Sequence, residues 1–434
     1  MSKSKSSHYQ DFKNLDQWLY YLENLHSSEI DLGLTRVGEV AKRLAIDFNF
    51  AKVIIVAGTN GKGTTCAFLE NALFTTKNQK VAVYSSPHIE RFNERLRINK
   101  EDIADQPLID AFKKIELARG DISLSYYEYT TLAAFLVLMD VRPSYIILEV
   151  GLGGRLDATN IIDADVAVIT TIDLDHQAFL GNNRESIGFE KAGIMRREQI
   201  IVVGDNNSPK SVLEHAYSLN AVHGENLFVR GQDFSVEVEK SSWHWQAEHE
   251  NITDLAPTFI PRDNVATALM VLAKLQVPLS TIFANDIIDK TKVSGRTELI
   301  KHADCCDVIL DVGHNPQATR YLAKHLRLVK KQGNYDKIYA VVAMLADKDI
   351  KASLASLKDE IDFWYTGELE VPRAATSKIM QQELTTFTNE VNCFDNVDEA
   401  FRIARQQAST SDLILVFGSF FTVAKIRVQL TKKN

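Results

Sequence analysis

The sequence predicts an α/β protein built from two consecutive α/β units, and three observations support this fold class. Short apolar, β-branched runs alternate with helical segments along the chain. One of these runs leads directly into a glycine-rich loop, and a second series of runs begins near residue 296. Near-continuous apolar strands that alternate with helices are typical of parallel sheets covered by helices on both faces.

The N-terminal unit opens with a predicted amphipathic helix, because residues 11–26 carry apolar side chains at helical spacing. Another helix is predicted at 127–140. Residues 227–247 instead alternate in short runs, which indicates a small antiparallel appendage. The buried strands predicted in this unit are 52–57, 81–84, 145–149 and 166–170.

The pattern breaks around residues 292–296, and a second series of apolar runs follows. Its roughly 135 residues are enough for a separate hydrophobic core. We therefore predict two domains, 1–295 and 296–434. The strands predicted in the second domain are 308–311, 337–343, 362–365 and 413–417.

Composition argues against several functional classes. The chain has 434 residues, and its formal net charge of -8 disfavours a general nucleic-acid binder. The longest apolar stretch, residues 132–139, is well short of the ~20 residues that cross a bilayer. Residues 1–10 lack the apolar run of a secretory signal. The 4 cysteines are too sparse for a disulfide framework, so we expect a cytoplasmic protein.

The strongest functional signal is the loop GTNGKGTT at residues 58–65. It follows the strand at 52–57 and leads into a helical segment at 66–74, which is the context that phosphate binding requires. Main-chain N–H groups, the helix N-terminus and Lys62 would together hold an ATP triphosphate. The loop is shorter than the common Walker pattern, and a glycine turn with a surface lysine is the alternative. The ATP contacts predicted here are Thr59, Asn60, Gly61, Lys62, Gly63 and Thr64.

Charged residues near this loop suggest a metal site. Glu149 ends a buried strand before a glycine-rich loop at 151–160, where it could meet a metal carried by the phosphates. His176 is a weaker candidate, because Mg²⁺ prefers oxygen ligands. Lys191 would be repelled by a nearby cation unless it stood off, lost its proton or were modified. The structural alternatives are a salt bridge for Glu149, a hydrogen bond for His176 and an ion pair for Lys191.

Taken together, these motifs resemble the Mur ligase superfamily, in particular its folate-specific ligases. The resemblance extends from residues 31–34 to 417–422, and the motifs are highly specific in this order and spacing. The departures are small: Gly313 stands where many relatives have alanine, and Ser125 is a Ser/Thr-type variation. The matching segments between the two ends are 58–65, 85–88, 148–160, 174–176, 190–194, 295–296, 311–316 and 344–349.

The resemblance implies a P-loop ATPase domain followed by a Rossmann-like glutamate-ligase domain. It implies that Ser86, Glu149 and His176 bind metal and that Lys191 is carbamylated. Carbamylation would turn the ammonium into a carboxylate that can face metal ions. The resemblance also implies ATP contacts at Asn264, Arg296 and Asp311, and dihydropteroate contacts at Asp31, Leu32, Gly33, Arg91, Ser125 and Asp157.

The implied reaction activates the carboxylate of a pteroate or a folyl-glutamate as an acyl phosphate and joins it to L-glutamate. Lys62 and Lys191 would be catalytic, and His314 is a further candidate whose alternative is a structural, helix-capping role. The implied ligands are ATP, L-glutamate, dihydropteroate and reduced folates, with two Mg²⁺ ions and K⁺ as a further candidate. No nucleic-acid or membrane partner is expected, and the resemblance implies a monomer.

Three other classes stay open on sequence grounds. A Mur ligase for a cell-wall precursor is disfavoured by residues 31–34 and 85–88. A P-loop switch or motor is disfavoured by the shortened loop and the second α/β unit, and it would release phosphate without needing glutamate. A catalytically silent binding protein is disfavoured by the charged set that includes Lys62, Glu149 and Lys191.

Overall fold

A computed structural model of the chain describes residues 12–26, 30–77, 79–248, 250–258, 260–302 and 305–431. Residues 1–10, which are expected to hold no secretory signal, lie outside the described residues. The first residue of the helix predicted at 11–26 also lies outside them. Within the described ranges, no helix is long and apolar enough to cross a membrane.

The chain folds into two compact units. The first contains the chain up to Ile172, Gln177–Ala256 and Asp263–Ile287. The second contains Asp173–His176, Pro257–Arg262 and the chain from Ile288 onward. The domain boundary predicted between residues 295 and 296 stays a prediction.

The first unit is built on a sheet with the strand order β4-β3-β2-β5-β1-β6-β7-β8. The six strands from β2 to β8 in this order pair in parallel, and β3 and β4 add an antiparallel edge. The central strands are buried along almost their whole length, as expected for a sheet covered on both faces. The strand bounds are β1 Lys52–Ala57, β2 Val81–Tyr84, β3 Leu96–Ile98, β4 Glu101–Asp102, β5 Tyr145–Glu149, β6 Val166–Ile169, β7 Ile200–Val203 and β8 Leu227–Val229.

Helices surround this sheet. The helix after β4 and the one before β5 pack on each other and on the N-terminal helix, where Trp18 lies against Phe112 in the core. Short 3₁₀ turns cover Phe92–Arg95 and Ala158–Ile161. The helix bounds are α1 Leu15–Glu23, α2 Thr35–Arg43, α3 Lys62–Lys77, α4 Asp105–Arg119, α5 Tyr126–Val141, α6 Gln177–Leu180, α7 Arg184–Ala192, α8 Lys210–Ser218, α9 Arg262–Lys274 and α10 Thr281–Lys290.

The predicted appendage is an antiparallel sheet of β9 (Phe234–Val238), β10 (Trp243–Ala247) and β11 (Glu250–Leu255). Trp243 and Trp245 alternate inward along β10 and are fully buried, which is the period-2 pattern that predicted it. The prediction was wrong for the first residues of its range, 227–229, which form β8. Strand β8 pairs in parallel with β7 and therefore belongs to the main sheet.

The second unit has a sheet with the order β12-β13-β17-β14-β15-β16, in which β12 alone pairs in antiparallel fashion among the described strands. The predicted α/β fold class is therefore confirmed for both units. The strand bounds are β12 Glu298–Ile300, β13 Asp307–Asp311, β14 Ile338–Val342, β15 Phe363–Thr366, β16 Val391–Cys393 and β17 Leu413–Phe417. The helix bounds are α11 Pro316–Lys331, α12 Ile350–Ala355, α13 Ser377–Leu384, α14 Val397–Gln407 and α15 Phe420–Thr431.

The carboxyl ends of β5, β1 and β6 lie side by side in the first sheet. The loops that follow these three strands therefore begin at one edge. In open α/β sheets, this edge is where ligands bind. The phosphate loop follows β1, and the glycine-rich loop at 151–160 follows β5.

Candidate active site

The phosphate loop joins β1 to α3 with little room for side chains. The main-chain N–H of Thr59 donates to the carbonyl of Thr171 at 2.6 Å, and the hydroxyl of Thr170 donates to the carbonyl of Asn60 at 2.7 Å. Gly61 has a φ of 93°, a left-handed value that favours glycine. A Cβ atom there would lie 2.8 Å from Cγ of Asn264, a buried residue on α9. Asn264, a predicted ATP contact, thus lies against the loop.

Two lysines converge on the first carbonyl of this loop. Lys62, the first residue of α3, donates from Nζ to the carbonyl of Gly58 at 2.9 Å and to that of Thr59 at 3.3 Å. Lys191, near the end of α7, donates from Nζ to the same Gly58 carbonyl at 2.9 Å. Only 4% of Lys191 is exposed. Two cationic side chains are therefore concentrated where a strand, a glycine loop and a helix N-terminus favour anions.

Glu149 and Ser86 approach the same region. Glu149 is 6% exposed, and a Cβ atom at Gly63 would lie 3.7 Å from both of its carboxylate oxygens. A Cβ atom at Gly151 would lie 3.2 Å from Oγ of Ser86. Both side chains carry oxygen atoms, which are the ligands that Mg²⁺ prefers.

Asp157 organises the glycine-rich loop. One of its oxygens accepts the N–H groups of Gly151 at 3.0 Å and Leu152 at 2.9 Å. The other accepts from the N–H and hydroxyl of Thr159 at 3.0 and 2.7 Å and from the hydroxyl of Tyr127 at 3.4 Å. Burial raises the pKa of Asp157, while these N–H and hydroxyl donors lower it. Asp157 therefore orders the loop, and its contact with dihydropteroate stays a prediction.

The glycine-rich loop also packs on the helix that carries Lys191. A Cβ atom at Gly154 would lie 2.8 Å from the carbonyl oxygen of Glu190 and 3.0 Å from that of Lys191. The N–H of Arg155 donates to the Glu190 carbonyl at 2.7 Å, and the two side chains form an ion pair at 2.9 Å. These contacts fix the end of α7 against the loop after β5.

The other predicted acceptor contacts are more dispersed within the first unit. Asp31 and Ser125 belong to one hydrogen-bonded network, described below. Arg91 is exposed and pairs with Asp102 at 2.9 Å. A Cβ atom at Gly33 would meet nothing within 4 Å, and its neighbour Leu32 is half-buried.

In the second unit, Asp311 at the end of β13 is held by main-chain donors. It accepts the N–H groups of Thr297 at 2.8 Å and Gly313 at 2.7 Å. Burial raises the pKa of Asp311, and the charge of Arg296 opposes this shift. The guanidinium of Arg296 lies 5.5 Å from the ring centre of Phe420. The two predicted nucleotide residues of this unit are therefore electrostatic neighbours.

A buried carboxylate that the sequence analysis missed lies at the centre of a second cluster. Asp175 contacts Nε2 of His314 at 3.3 Å, Nδ2 of Asn315 at 3.3 Å and Nζ of Lys348 at 2.8 Å. Although burial opposes ionisation, the hydrogen bond from His314 and nearby positive charge hold the pKa of Asp175 well below its usual range. His176, the adjacent predicted metal ligand, has a left-handed φ of 49°. Lys348 was missed as well, although Asp175 and Lys348 lie inside the matching segments 174–176 and 344–349, which were the available signal.

The first unit thus brings together the phosphate loop, Ser86, Glu149, Lys191 and Asn264, and the second brings together His176, Arg296, Asp311 and His314. No three His, Cys, Asp or Glu side chains cluster as a metal site among the residues described. Ser86 and Glu149, the predicted metal ligands of the first unit, both supply the oxygen ligands that Mg²⁺ prefers. The individual roles of all these residues stay predictions.

Substitution of Gly61 by alanine should weaken nucleotide binding. The new Cβ would be strained at this φ and would displace Asn264, at a cost of about 1–3 kcal/mol, or roughly 5- to 150-fold in affinity. Titration with a fluorescent ATP analogue measures the effect. Gly38→Ala is the matched control, since a Cβ atom there meets nothing within 4 Å. Equal affinity in both variants would contradict a close fit of nucleotide to the loop.

The strand–glycine loop–helix unit with its two inward lysines defines a P-loop-type α/β phosphate-binding protein. Sequence models of the Mur ligase middle domain and of the Mur ligase glutamate ligase domain match residues 56–275 and 295–420. The chain is 43% identical to the dihydrofolate synthase/folylpolyglutamate synthase of Escherichia coli (strain K12) over 412 residues, which are 95% of this chain and 94% of that protein.

Solved structures agree with this relationship. The structure of E. coli FolC in complex with DHPP and ADP covers 99% of each chain, with a TM-score of 0.89 and 41% identity. A bifunctional folylpolyglutamate synthase/dihydrofolate synthase with Mn, AMPPNP and L-glutamate bound covers 97% of this chain and 98% of that chain, with a TM-score of 0.86 and 43% identity. The chain belongs to the Mur ligase family and, within it, to the dihydrofolate synthase/folylpolyglutamate synthases, which confirms the resemblance predicted from its motifs.

Proposed function

We propose that this protein is an ATP-dependent ligase that joins L-glutamate to the carboxylate of a pteroate or a folyl-glutamate. The observation that carries the proposal is the convergence of Lys62, Lys191 and Glu149 on the phosphate loop of the first unit. The relatives named for dihydrofolate and folylpolyglutamate synthesis, matched over nearly the full chain, support the choice of acceptor.

The first step is phosphoryl transfer. A carboxylate oxygen of the acceptor attacks the γ-phosphorus of ATP, the bond to the β–γ bridging oxygen breaks, and ADP leaves. Main-chain N–H groups of the loop and the ammonium of Lys62 offset the charge that spreads over the transferring group. The product is an acyl phosphate, whose phosphate is a far better leaving group than the oxide of a free carboxylate.

The second step forms the amide. The amine of L-glutamate attacks the acyl carbon, a tetrahedral species forms, and inorganic phosphate leaves as the amine loses its proton. His314 is the proposed side chain near the glutamate, and its contacts with Asp175 and the Val312 carbonyl fix the orientation of its ring. Because water would hydrolyse the acyl phosphate, the reaction requires that water be excluded until glutamate has bound.

Ser86, Glu149 and His176 are the proposed metal ligands. The side-chain oxygens of Ser86 and Glu149, with glycines beside both, fit a hard divalent ion. Such an ion, when bound, would neutralise charge on the phosphates. Two Mg²⁺ ions and a K⁺ ion are part of the proposal, as is carbamylation of Lys191. The relative with bound Mn and AMPPNP supports the use of a divalent metal with nucleotide.

The finer assignments belong to the same proposal. ATP would contact Thr59, Asn60, Gly61, Lys62, Gly63, Thr64, Asn264, Arg296 and Asp311. Dihydropteroate would contact Asp31, Leu32, Gly33, Arg91, Ser125 and Asp157. We propose domains at 1–295 and 296–434, a monomeric state, a cytoplasmic location, and no nucleic-acid or membrane partner. The net charge of -8 supports the absence of nucleic acid.

An ADP-release assay with ATP, Mg²⁺ and L-glutamate tests the proposed function. Dihydropteroate and a reduced folyl-glutamate are supplied separately as acceptors, and we expect glutamate-dependent ADP release with each. A response to the folyl-glutamate alone would restrict the protein to chain extension. ADP release that ignores glutamate would indicate a switch or motor, and no response to either acceptor would reject the ligase assignment.

A further inference from the structure

A half-buried arginine in the first unit connects two residues that are distant in sequence. Arg36, in the first turn of α2, donates from Nε to both carboxylate oxygens of Glu128 at 2.9 and 2.8 Å. Its two terminal nitrogens contact Asp31, one at a carboxylate oxygen and the other at the main-chain carbonyl at 2.7 Å. One planar guanidinium therefore fixes both the loop before α2 and the first turn of α5, and its fork geometry suits this bridging.

The network continues into the N-terminus of α5. Glu128 accepts the N–H of Ser125 at 2.8 Å, and the hydroxyl of Ser125 accepts the N–H of Glu128 at 3.3 Å, which forms a capping box. On the other side, His26 contacts Asp31 at 3.1 Å through Nε2 and Ser123 at 2.7 Å through Nδ1. Asp31 and Ser125, both proposed dihydropteroate contacts, are thus parts of one network through Arg36.

The same helical turn reaches the loops of the phosphate site. Tyr127, two residues after Ser125, is hydrogen-bonded to Asp157, and a Cβ atom at Gly151 would lie 2.8 Å from the Tyr127 hydroxyl oxygen. The acceptor carboxylate must reach the γ-phosphate, so an acceptor held along this turn would point its carboxylate toward the glycine-rich loop. The placement of the first turn of α5 would therefore determine where the acceptor lies.

Arg36 is the cation between two carboxylates in this network. The side chain of Glu128 is 4% exposed, that of Arg36 26% and that of Asp31 39%. Without Arg36, Glu128 would keep a buried charge that accepts the N–H of Ser125, and Asp31 would keep its contact with His26 but lose the two contacts that fix it against α5. The loop at 31–34 would then no longer be tied to α5.

We propose that Arg36 is a positioning residue for the pterin-bearing acceptor, which orients Asp31 and Ser125 for dihydropteroate by bridging Asp31 to Glu128. This inference rests on the proposed ligase function. Arg36 acts on neither ATP nor glutamate.

The test compares Arg36→Met with Arg43→Met. Arg43 lies at the end of the same helix and pairs with Glu39 at 3.1 Å, so its replacement removes the same charge from the same element. For Arg36→Met we expect the KM for dihydropteroate to rise about 10- to 100-fold, because this is the change in affinity that corresponds to the loss of a charged hydrogen-bonded pair. The KM for ATP and for L-glutamate should change by less than about threefold, and Arg43→Met should match the unmodified protein in all three.

A conservative variant and a binding measurement complete the test. Arg36→Lys keeps the positive charge but lacks the planar guanidinium, so its KM for dihydropteroate should lie between those of Arg36→Met and the unmodified protein. Equilibrium dialysis with dihydropteroate should show the same loss of affinity in Arg36→Met without requiring turnover. Unchanged dihydropteroate affinity, or equal losses of affinity for dihydropteroate and ATP, would overturn the inference. Failure of the unmodified protein to turn over any acceptor would instead reject the proposed function. The two failures are distinguishable, because equilibrium dialysis measures binding of dihydropteroate without turnover.

Discussion

Replacement of Lys191 by alanine should lower ligase turnover by at least about 10²–10³-fold, the typical loss when one charge-stabilising group leaves an active site. Lys191 is almost fully buried, and its Nζ lies 2.9 Å from the first carbonyl of the phosphate loop. An ammonium there would repel a divalent ion, whereas a carbamate would carry the negative charge that such an ion attracts. Steady-state ADP release measures the loss.

Chemical rescue distinguishes a carbamate from a simple cation. The alanine variant leaves space that a short carboxylate such as formate or acetate can enter, so added carboxylate should restore part of the activity. Lys191→Met is the matched control, since it removes the charge and fills the space, and it should not be rescued. Full activity of the alanine variant would contradict the proposal, as would rescue by short amines rather than carboxylates.

The phosphate loop is predictable from sequence because its parts are local. The apolar strand, the glycines, Lys62 and the helix all fall within residues 52–77, so periodicity and composition suffice. The central strands are likewise predictable, since each is a continuous apolar run buried on both faces. The helix after the loop begins earlier than predicted, at Lys62, because its first turn accommodates the glycine and threonines that were assigned to the loop.

The networks that position the site are not predictable in this way. Arg36 and Glu128 are 92 residues apart in sequence, and Asp175 and Lys348 are 173 apart. A charged residue in a single sequence carries no signal of its partner, so only the fold brings such pairs together. Strand β8 was misassigned for a related reason, because its three residues are too few to display an alternation and its parallel partner β7 precedes it by a helix.

Substitution of Lys62 by methionine should weaken nucleotide binding by about 10- to 100-fold, the equivalent of one charge-assisted hydrogen bond, and should lower kcat further. Lys62 opens α3 and reaches back over the loop to the carbonyls of Gly58 and Thr59. In this position its ammonium would contact the outer phosphates, whose charge changes most during transfer, so the effect on kcat should exceed that on ground-state binding. Calorimetric titration with a non-hydrolysable ATP analogue and ADP release measure the two effects separately.

Lys80→Met is the control for this substitution. Lys80 also donates to a main-chain carbonyl, that of Val141 at 3.0 Å, but it is exposed and precedes β2 at the amino edge of the sheet. Its replacement should leave nucleotide affinity and kcat unchanged, because ligands bind at the opposite, carboxyl edge of such sheets. If Lys62→Met and Lys80→Met bound the ATP analogue equally well, the triphosphate would not lie on the loop after β1. The proposed roles of Glu149 and Lys191 would then be unsupported, since both roles are assigned because these residues lie close to that loop.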